Sequence, residues 1–176
     1  GTIPIEAALY GHNIAPGINR SFISEQWVNL VPDGLSDEVR DEADSLANYD
    51  IELDIHGYDI DQNMIDIAQE NCRAAGLTHD ITFKQLAVKD WHTDKINGVI
   101  VANPPYGERL SDKETVHELY RQMGKIYRPM TTWSKYILTA DLEFEKYYGA
   151  PATKKRKLYN GALRTDLFQY WGKKKR

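Results

Sequence analysis

The period of apolar and polar positions changes several times along the chain, and each change marks an element. "PIEAALYG", opened by Pro4 and closed by Gly11, predicts a helix, because proline suits the first helical turn and glycine the end. The Gly1-Thr2 step before it reads as the end of a loop. A helix that opens from such a step normally follows a strand in an α/β unit, so the pattern expects a strand upstream of Gly1. Residues 11–48 are less regular; Phe22 and Trp27 are the expected packing anchors, and Ser36 is the expected N-cap of a helix whose Val39, Ala43, Leu46 and Ala47 share one face. Alternation at Ile51, Leu53 and Ile55 predicts a strand, followed by a helix with Met64, Ile67, Ala68, Cys72 and Ala75 as its stripe and Gly76 as its stop. "ITFKQLAVKDW" supplies another apolar segment. "NGVIVANPPYG" is continuous rather than alternating, as expected for a central parallel strand covered on both faces. Val116, Leu119, Tyr120, Met123 and Tyr127 mark a further helix and "SKYILTA" a further strand. Two β-rich runs flank Asn160-Gly161, a strong hairpin signal, and predict an antiparallel pair closing one sheet edge. The repeated strand-helix order predicts an α/β fold with a mostly parallel sheet and a C-terminal antiparallel hairpin.

Length and composition narrow the class. At 176 residues with 41% hydrophobic content the chain can hold a real core, and one domain over residues 1–176 is the expectation. A single cysteine, Cys72, excludes an internal disulfide framework, and the five histidines show no metal-ligand spacing, so no metal is expected. No apolar run approaches the roughly 18 to 20 residues that cross a bilayer, and no basic-then-apolar leader opens the chain; a cytoplasmic protein is expected. The net charge of -4 hides a division: from Pro151 onward nine Lys/Arg face one acid, a local +8, and the remainder carries -12. Such a basic block is either a solvated face or a patch for phosphates.

In open α/β sheets ligands bind beyond the carboxyl ends of the strands, so the residues just after each apolar run are the candidates. After the first complete strand comes Gly57-Tyr58-Asp59-Ile60-Asp61, where Asp59 can accept from the vicinal hydroxyls of a ribose; the alternative is that Asp59 or Asp61 caps the next helix. In "LAVKDW", Asp90 can accept from an adenine amine while Ala87 and Val88 offer apolar contact, or Asp90 is an ordinary turn carboxylate. Then comes Asn103-Pro104-Pro105-Tyr106. Its prolines stop the strand in a stiff turn; the Asn103 side-chain carbonyl and the Pro104 backbone carbonyl supply two acceptors beneath the aromatic face of Tyr106. Two acceptors on an exocyclic NH₂ draw its nitrogen toward a pyramidal form and aim the lone pair, which suits attack on a methyl donor.

These residues, with "GTIPIEAAL", "GYDID", "NPPYGERL" and "KLYNGALRTDLFQYW", make the sequence resemble the Rossmann-like class I S-adenosylmethionine-dependent methyltransferases with an N/D-P-P-Y motif. Within that group it resembles the RNA guanine-N2 methyltransferases that carry a THUMP domain, often labelled adenine-N6 DNA methylases. The resemblance runs from Gly1 to Trp171. It implies S-adenosylmethionine as cofactor, held by Gly1, Thr2, Asp59, Ile60, Ala87, Asp90 and Asn103. It implies Asn103, Pro104, Pro105 and Tyr106 as the catalytic turn. Tyr106, Glu108, Arg109 and the basic run Lys154, Lys155, Arg156 and Lys157 are the implied substrate contacts, with ribosomal RNA as the first expected partner and transfer RNA the second. It also implies a catalytic domain whose first strand, most of its glycine-rich loop and its THUMP region lie outside this sequence.

Three other readings stand beside this one. Thiol or metal catalysis needs long-range coincidence, since Cys72 falls in an apolar stripe. A non-catalytic nucleotide-binding module would have no use for "NPPYGERL". Adenine-N6 methylation uses the same two-acceptor turn, and asparagine at position 103 does not separate it from guanine.

Overall fold

A computed structural model describes residues 1–27, 29–106 and 112–173. They form two compact units, Gly1–Gln85 and Leu86–Arg176.

In the first unit, helix α1 (Thr2–Gly11) starts with Pro4 inside its first turn, where a missing N–H costs nothing. Helix α2 (Leu35–Ser45) follows an irregular stretch, strand β1 (Ile55–Asp59) leads into helix α3 (Gln62–Ala74), and strand β2 (Ile81–Gln85) returns parallel to β1, with Ile55 opposite Ile81. Ala8, Cys72, Leu77 and Ile81 form the core of this unit, with Leu53, Ile55 and Phe83 packed around them. Nearby, His12 is buried and held by the Asn48 carbonyl (2.9 Å) and Asp80 (2.8 Å).

Several expectations shift here. The strand begins at Ile55 rather than Ile51, because its ladder partner β2 begins only at Ile81. Helix α3 buries Ile65, Ala68 and Cys72, while Met64 and Ile67 are exposed, so the packed stripe is rotated from the expected one. The N-cap of α2 is Gly34 rather than Ser36, and the helix buries no residue. Phe22 and Trp27 are about half exposed rather than anchoring a core; guanidinium groups of Arg20 and Arg40 lie over the Phe22 ring at 5.9 and 5.8 Å.

Among its described residues the second unit holds one four-stranded sheet, in the order Gly98–Ala102 (β3), Trp133–Thr139 (β4), Leu163–Tyr170 (β6), Lys154–Asn160 (β5), and two α-helices. Strands β3 (Gly98–Ala102) and β4 (Trp133–Thr139) are parallel and joined through helix α4 (Lys113–Tyr127); after the short helix α5 (Phe144–Tyr148), strands β5 (Lys154–Asn160) and β6 (Leu163–Tyr170) are antiparallel to each other, and β6 is antiparallel to β4. Strand β4 alternates as a half-covered strand should, burying Trp133, Lys135, Ile137 and Thr139. Val116, Tyr120, Met123 and Tyr127 of α4, Phe144 and Tyr148 of α5, Ile137 and Phe168 make one aromatic-rich core. The helices approach closely because Gly124 has no side chain: a Cβ there would lie 2.0 Å from the Tyr148 carbonyl oxygen.

The helix stripe of α4 and the strand at "SKYILTA" appear as expected. Two features differ. Among the described residues strand β3 is an outer strand of its sheet, and Val99 and Val101 are exposed rather than covered on both faces, because the aromatic core covers the face that carries Ile100 and Ala102 and these two valines alternate to the other face. The hairpin forms, but Asn160 pairs with Leu163, which makes Gly161-Ala162 the two-residue turn; Gly161 takes the positive φ (61°) that such a turn demands and glycine tolerates.

Candidate functional site

Asp59 is the last residue of β1 and is exposed. Its Oδ1 accepts from the Asp61 backbone N–H at 2.9 Å, and Asp61 in turn caps α3 by accepting from the Asn63 N–H at 2.9 Å. The capping role therefore belongs to Asp61. A carboxylate accepts about four hydrogen bonds, so Asp59 keeps acceptor capacity at the strand end. Ile60 beside it is 71% exposed, and its carbonyl accepts from Gln85 Nε2 at 2.9 Å, which fixes the loop that carries both. Gly1 precedes α1 and Thr2 opens it; both are exposed in this same unit.

In the second unit Ala87 and Val88 are half-buried, with Val88 packed against the aromatic core, and Asp90 closes a single 3-10 turn with an exposed carboxylate. An exposed carboxylate is a hydrogen-bond acceptor only, so Asp59 in the first unit and Asp90 in the second each offer acceptor oxygens at the surface of their own unit.

Asn103 to Tyr106 follow β3 directly. The fold brings the two ends of this turn together, since the Tyr106 hydroxyl donates to Asn103 Oδ1 at 2.7 Å. A carbonyl oxygen has two lone pairs, so this bond orients the amide and leaves it able to accept a second proton. Asn103 is exposed and the Tyr106 side chain half-buried. Underneath, the Tyr120 hydroxyl donates to the Pro105 carbonyl at 3.2 Å and lies 2.9 Å from Thr139 Oγ1, which accepts from the Asp141 backbone N–H at 3.1 Å. Asp141 also binds His117 Nε2 at 3.0 Å, and the His117 ring stacks on Tyr147 at 3.6 Å.

Sequence reasoning read Tyr120 only as core and did not single out Thr139 or Asp141. The pairs are 15 and 19 residues apart, and no local pattern signals them. Nor did it find that His117, Asp141 and Glu143 bring donor atoms within 4.8 Å of one another. These are already engaged: His117 with Asp141, and Glu143 with Lys146 at 2.9 Å. Cys72 is buried and its thiol is pushed up by burial, away from a reactive thiolate.

Glu108 and Arg109 lie outside the described residues. Lys154, Lys155, Arg156 and Lys157 are exposed on β5, the outer strand beside β6. Lys155 is tied to Glu145 at 2.7 Å, so that cation is partly neutralised. Charge on an outer strand also guards it against edge-to-edge pairing. A recess of about 750 Å³ near Asn97, Ser134, Trp171 and Lys173 lies where β3 and β4 begin, the opposite end from where parallel strands present ligand sites. Among the described residues no helix is long and apolar enough to cross a membrane.

The family described as UPF0020, RMKL-like methyltransferase domain, matches residues 1–169. The chain is 53% identical over 173 residues to a Bacillus subtilis (strain 168) protein provisionally named RNA methyltransferase YpsC, covering 98% of this chain and 45% of that one. It is 32% identical over 181 residues to the ribosomal RNA large subunit methyltransferase K/L of Hydrogenovibrio crunogenus, covering 97% and 24%. Among solved structures it is similar to SMU.472 in complex with S-adenosylhomocysteine, at TM-score 0.95 and 50% identity over 100% of this chain and 46% of that one. A Listeria monocytogenes protein provisionally described as an N6-adenine-specific DNA methylase is 57% identical, at TM-score 0.91, over 98% and 44%. The chain thus spans less than half the length of each of these relatives.

Proposed function

We propose, from the premise that this chain belongs to the RMKL-like methyltransferase domain family and has the class I methyltransferase fold, that it is the catalytic part of an S-adenosylmethionine-dependent enzyme that methylates the exocyclic amine of an RNA base. Guanine N2 in ribosomal RNA is the proposed target. The observation that carries the reading is the Asn103-Pro104-Pro105-Tyr106 turn, with the Asn103 amide held by Tyr106 at 2.7 Å.

Bound S-adenosylmethionine would supply an electrophilic methyl group. Asp59 would accept from the ribose hydroxyls, Asp90 from the adenine amine, and Ile60, Ala87 and Val88 would give apolar contact. A base amine is a poor nucleophile because its lone pair is delocalised into the ring. Asn103 Oδ1 and the Pro104 carbonyl would accept its two hydrogens, drawing the lone pair out of the ring plane. The Tyr106 ring would stack on the base, a contact worth roughly 1 to 3 kcal/mol in single-strand binders. As the N–C bond forms, the S–methyl bond breaks and S-adenosylhomocysteine leaves; the cationic nitrogen, a strong acid, would then give up its proton to the Asn103 amide oxygen, a backbone carbonyl or water, with no dedicated base. Lys154, Arg156 and Lys157 would meet RNA phosphates.

A second reading, adenine N6, uses the same turn, and the Listeria protein's description favours it. The test uses the full-length protein with labelled S-adenosylmethionine, RNA from a strain lacking the enzyme, and unmethylated DNA, each digested to nucleosides and analysed by mass spectrometry. Label in N2-methylguanosine is expected. Label in N6-methyladenine would keep the turn's chemistry and overturn the substrate; no label in any base amine would overturn the reading itself.

A further inference from the structure

The Asn-Pro-Pro-Tyr turn is stiff in one sense and soft in another. The proline rings fix φ at residues 104 and 105, but they also remove both backbone N–H groups, so the turn cannot tie itself down by donating at those positions. What stays free is ψ, which swings each carbonyl. A donor from elsewhere has to hold it.

Tyr120 supplies that donor. It is fully buried, packed edge-on against Phe144 with ring centroids 4.8 Å apart, and its hydroxyl reaches the Pro105 carbonyl at 3.2 Å. A carbonyl only accepts, so the single phenolic proton is spent there. Thr139, also fully buried, must then donate its own proton to the Tyr120 oxygen (2.9 Å) while accepting from the Asp141 N–H (3.1 Å). The proton order runs one way, from Asp141 through Thr139 and Tyr120 to Pro105. Pinning the Pro105 carbonyl fixes the peptide plane into Tyr106, and the Tyr106 hydroxyl returns to Asn103 Oδ1 at 2.7 Å. Burial pushes the Tyr120 phenol up to about 12, so it remains a donor at any ordinary pH.

We propose that Tyr120, oriented by Thr139, is a positioning residue that, through the Pro105 carbonyl and Tyr106, locks the Asn103 acceptor in aim at the base amine. This rests on the reading of the turn as the methyl-acceptor site.

The experiment compares Tyr120→Phe, Thr139→Val, Thr139→Ser and Asn103→Ala in the full-length protein, by single-turnover methyl transfer to its RNA and by equilibrium binding of S-adenosylmethionine. Misplacement of reacting groups by about 1 Å can cost about 100-fold, so Tyr120→Phe and Thr139→Val are expected to slow transfer by about ten-fold or more. Cofactor affinity should stay within about two-fold, and Thr139→Ser, which keeps the hydroxyl, should recover most of the rate. The proposal is overturned if Tyr120→Phe transfers at close to the wild-type rate while Asn103→Ala is inactive, an outcome that leaves the site reading intact. It is also overturned if Thr139→Ser and Thr139→Val slow transfer equally, since packing alone then explains both. Full activity of Asn103→Ala would remove the site reading and this proposal with it.

Discussion

The Asp59 loop of the first unit and the Asn103–Tyr106 turn of the second are built to different standards. Asp59 is exposed and accepts from the Asp61 N–H of its own loop, while the Gln85 amide holds the neighbouring Ile60 carbonyl. The turn sits on a buried relay of Thr139 and Tyr120, itself set in an aromatic core of Phe144, Tyr148 and Phe168. The difference follows from the two proposed tasks. Accepting hydrogen bonds from a ribose tolerates small displacements, because a carboxylate offers several lone pairs in several directions. Aiming the lone pair of one amine does not, because both acceptors must meet two hydrogens on the same nitrogen.

The largest expected effect on that contrast comes from loosening the bed of the turn. Phe144 is fully buried and touches Tyr120, Tyr148 and Phe168 with centroid distances of 4.8, 5.2 and 4.9 Å. Phe144→Ala should destabilise the second unit by about 3–5 kcal/mol, measured by urea unfolding. An unchanged midpoint would show that the aromatic core does not support the turn.

A smaller effect sharpens the contrast from the other side. Burial works against charging the His12 imidazole, but its bonds to Asp80 and to the Asn48 carbonyl, with the Asp80 charge, raise it above its ordinary value near 6.5. A group whose folded value is raised stabilises fully below its unfolded value and loses that contribution as pH rises through the folded one. The first unit should therefore lose stability as pH rises above about 6.5, and Asp80→Asn should flatten that slope in urea titrations at several pH values. Tyr120, whose phenol burial pushes up to about 12, should add no slope of its own over the same range.

Much of the fold was legible because apolar period reports burial directly. The α4 stripe at Val116, Tyr120, Met123 and Tyr127 and the strand over 133–139 are where the pattern put them. Periodicity misled where an apolar residue lies on a face that the described residues of its unit leave uncovered: Met64, Ile67, Val99 and Val101 are apolar and exposed. Phe22 and Trp27 failed as anchors for the same reason. The turn of the hairpin slipped by one residue because strand register, Asn160 opposite Leu163, decides which pair occupies the bend. The placement of the candidates was legible from local order: Asp59 closes β1, Asp90 lies a short turn beyond β2 in the chain, and residues 103–106 follow β3. The Thr139–Tyr120–Pro105 relay was not legible, because hydrogen bonds between residues far apart in the chain leave no periodic trace.

The most direct test of the division of labour measures Asn103→Ala and Asp59→Ala side by side in the full-length protein, by equilibrium S-adenosylmethionine binding and by single-turnover methyl transfer at saturating cofactor. Removing one positioned polar group at a reacting centre typically costs about 100- to 1,000-fold, so Asn103→Ala should lose that much transfer while cofactor affinity stays within about two-fold. Loss of a charged hydrogen-bond partner costs about 1.5–3 kcal/mol, so Asp59→Ala should weaken the cofactor about 10- to 100-fold yet transfer at near the normal rate once saturated. Transfer by Asn103→Ala at close to the wild-type rate would contradict the account.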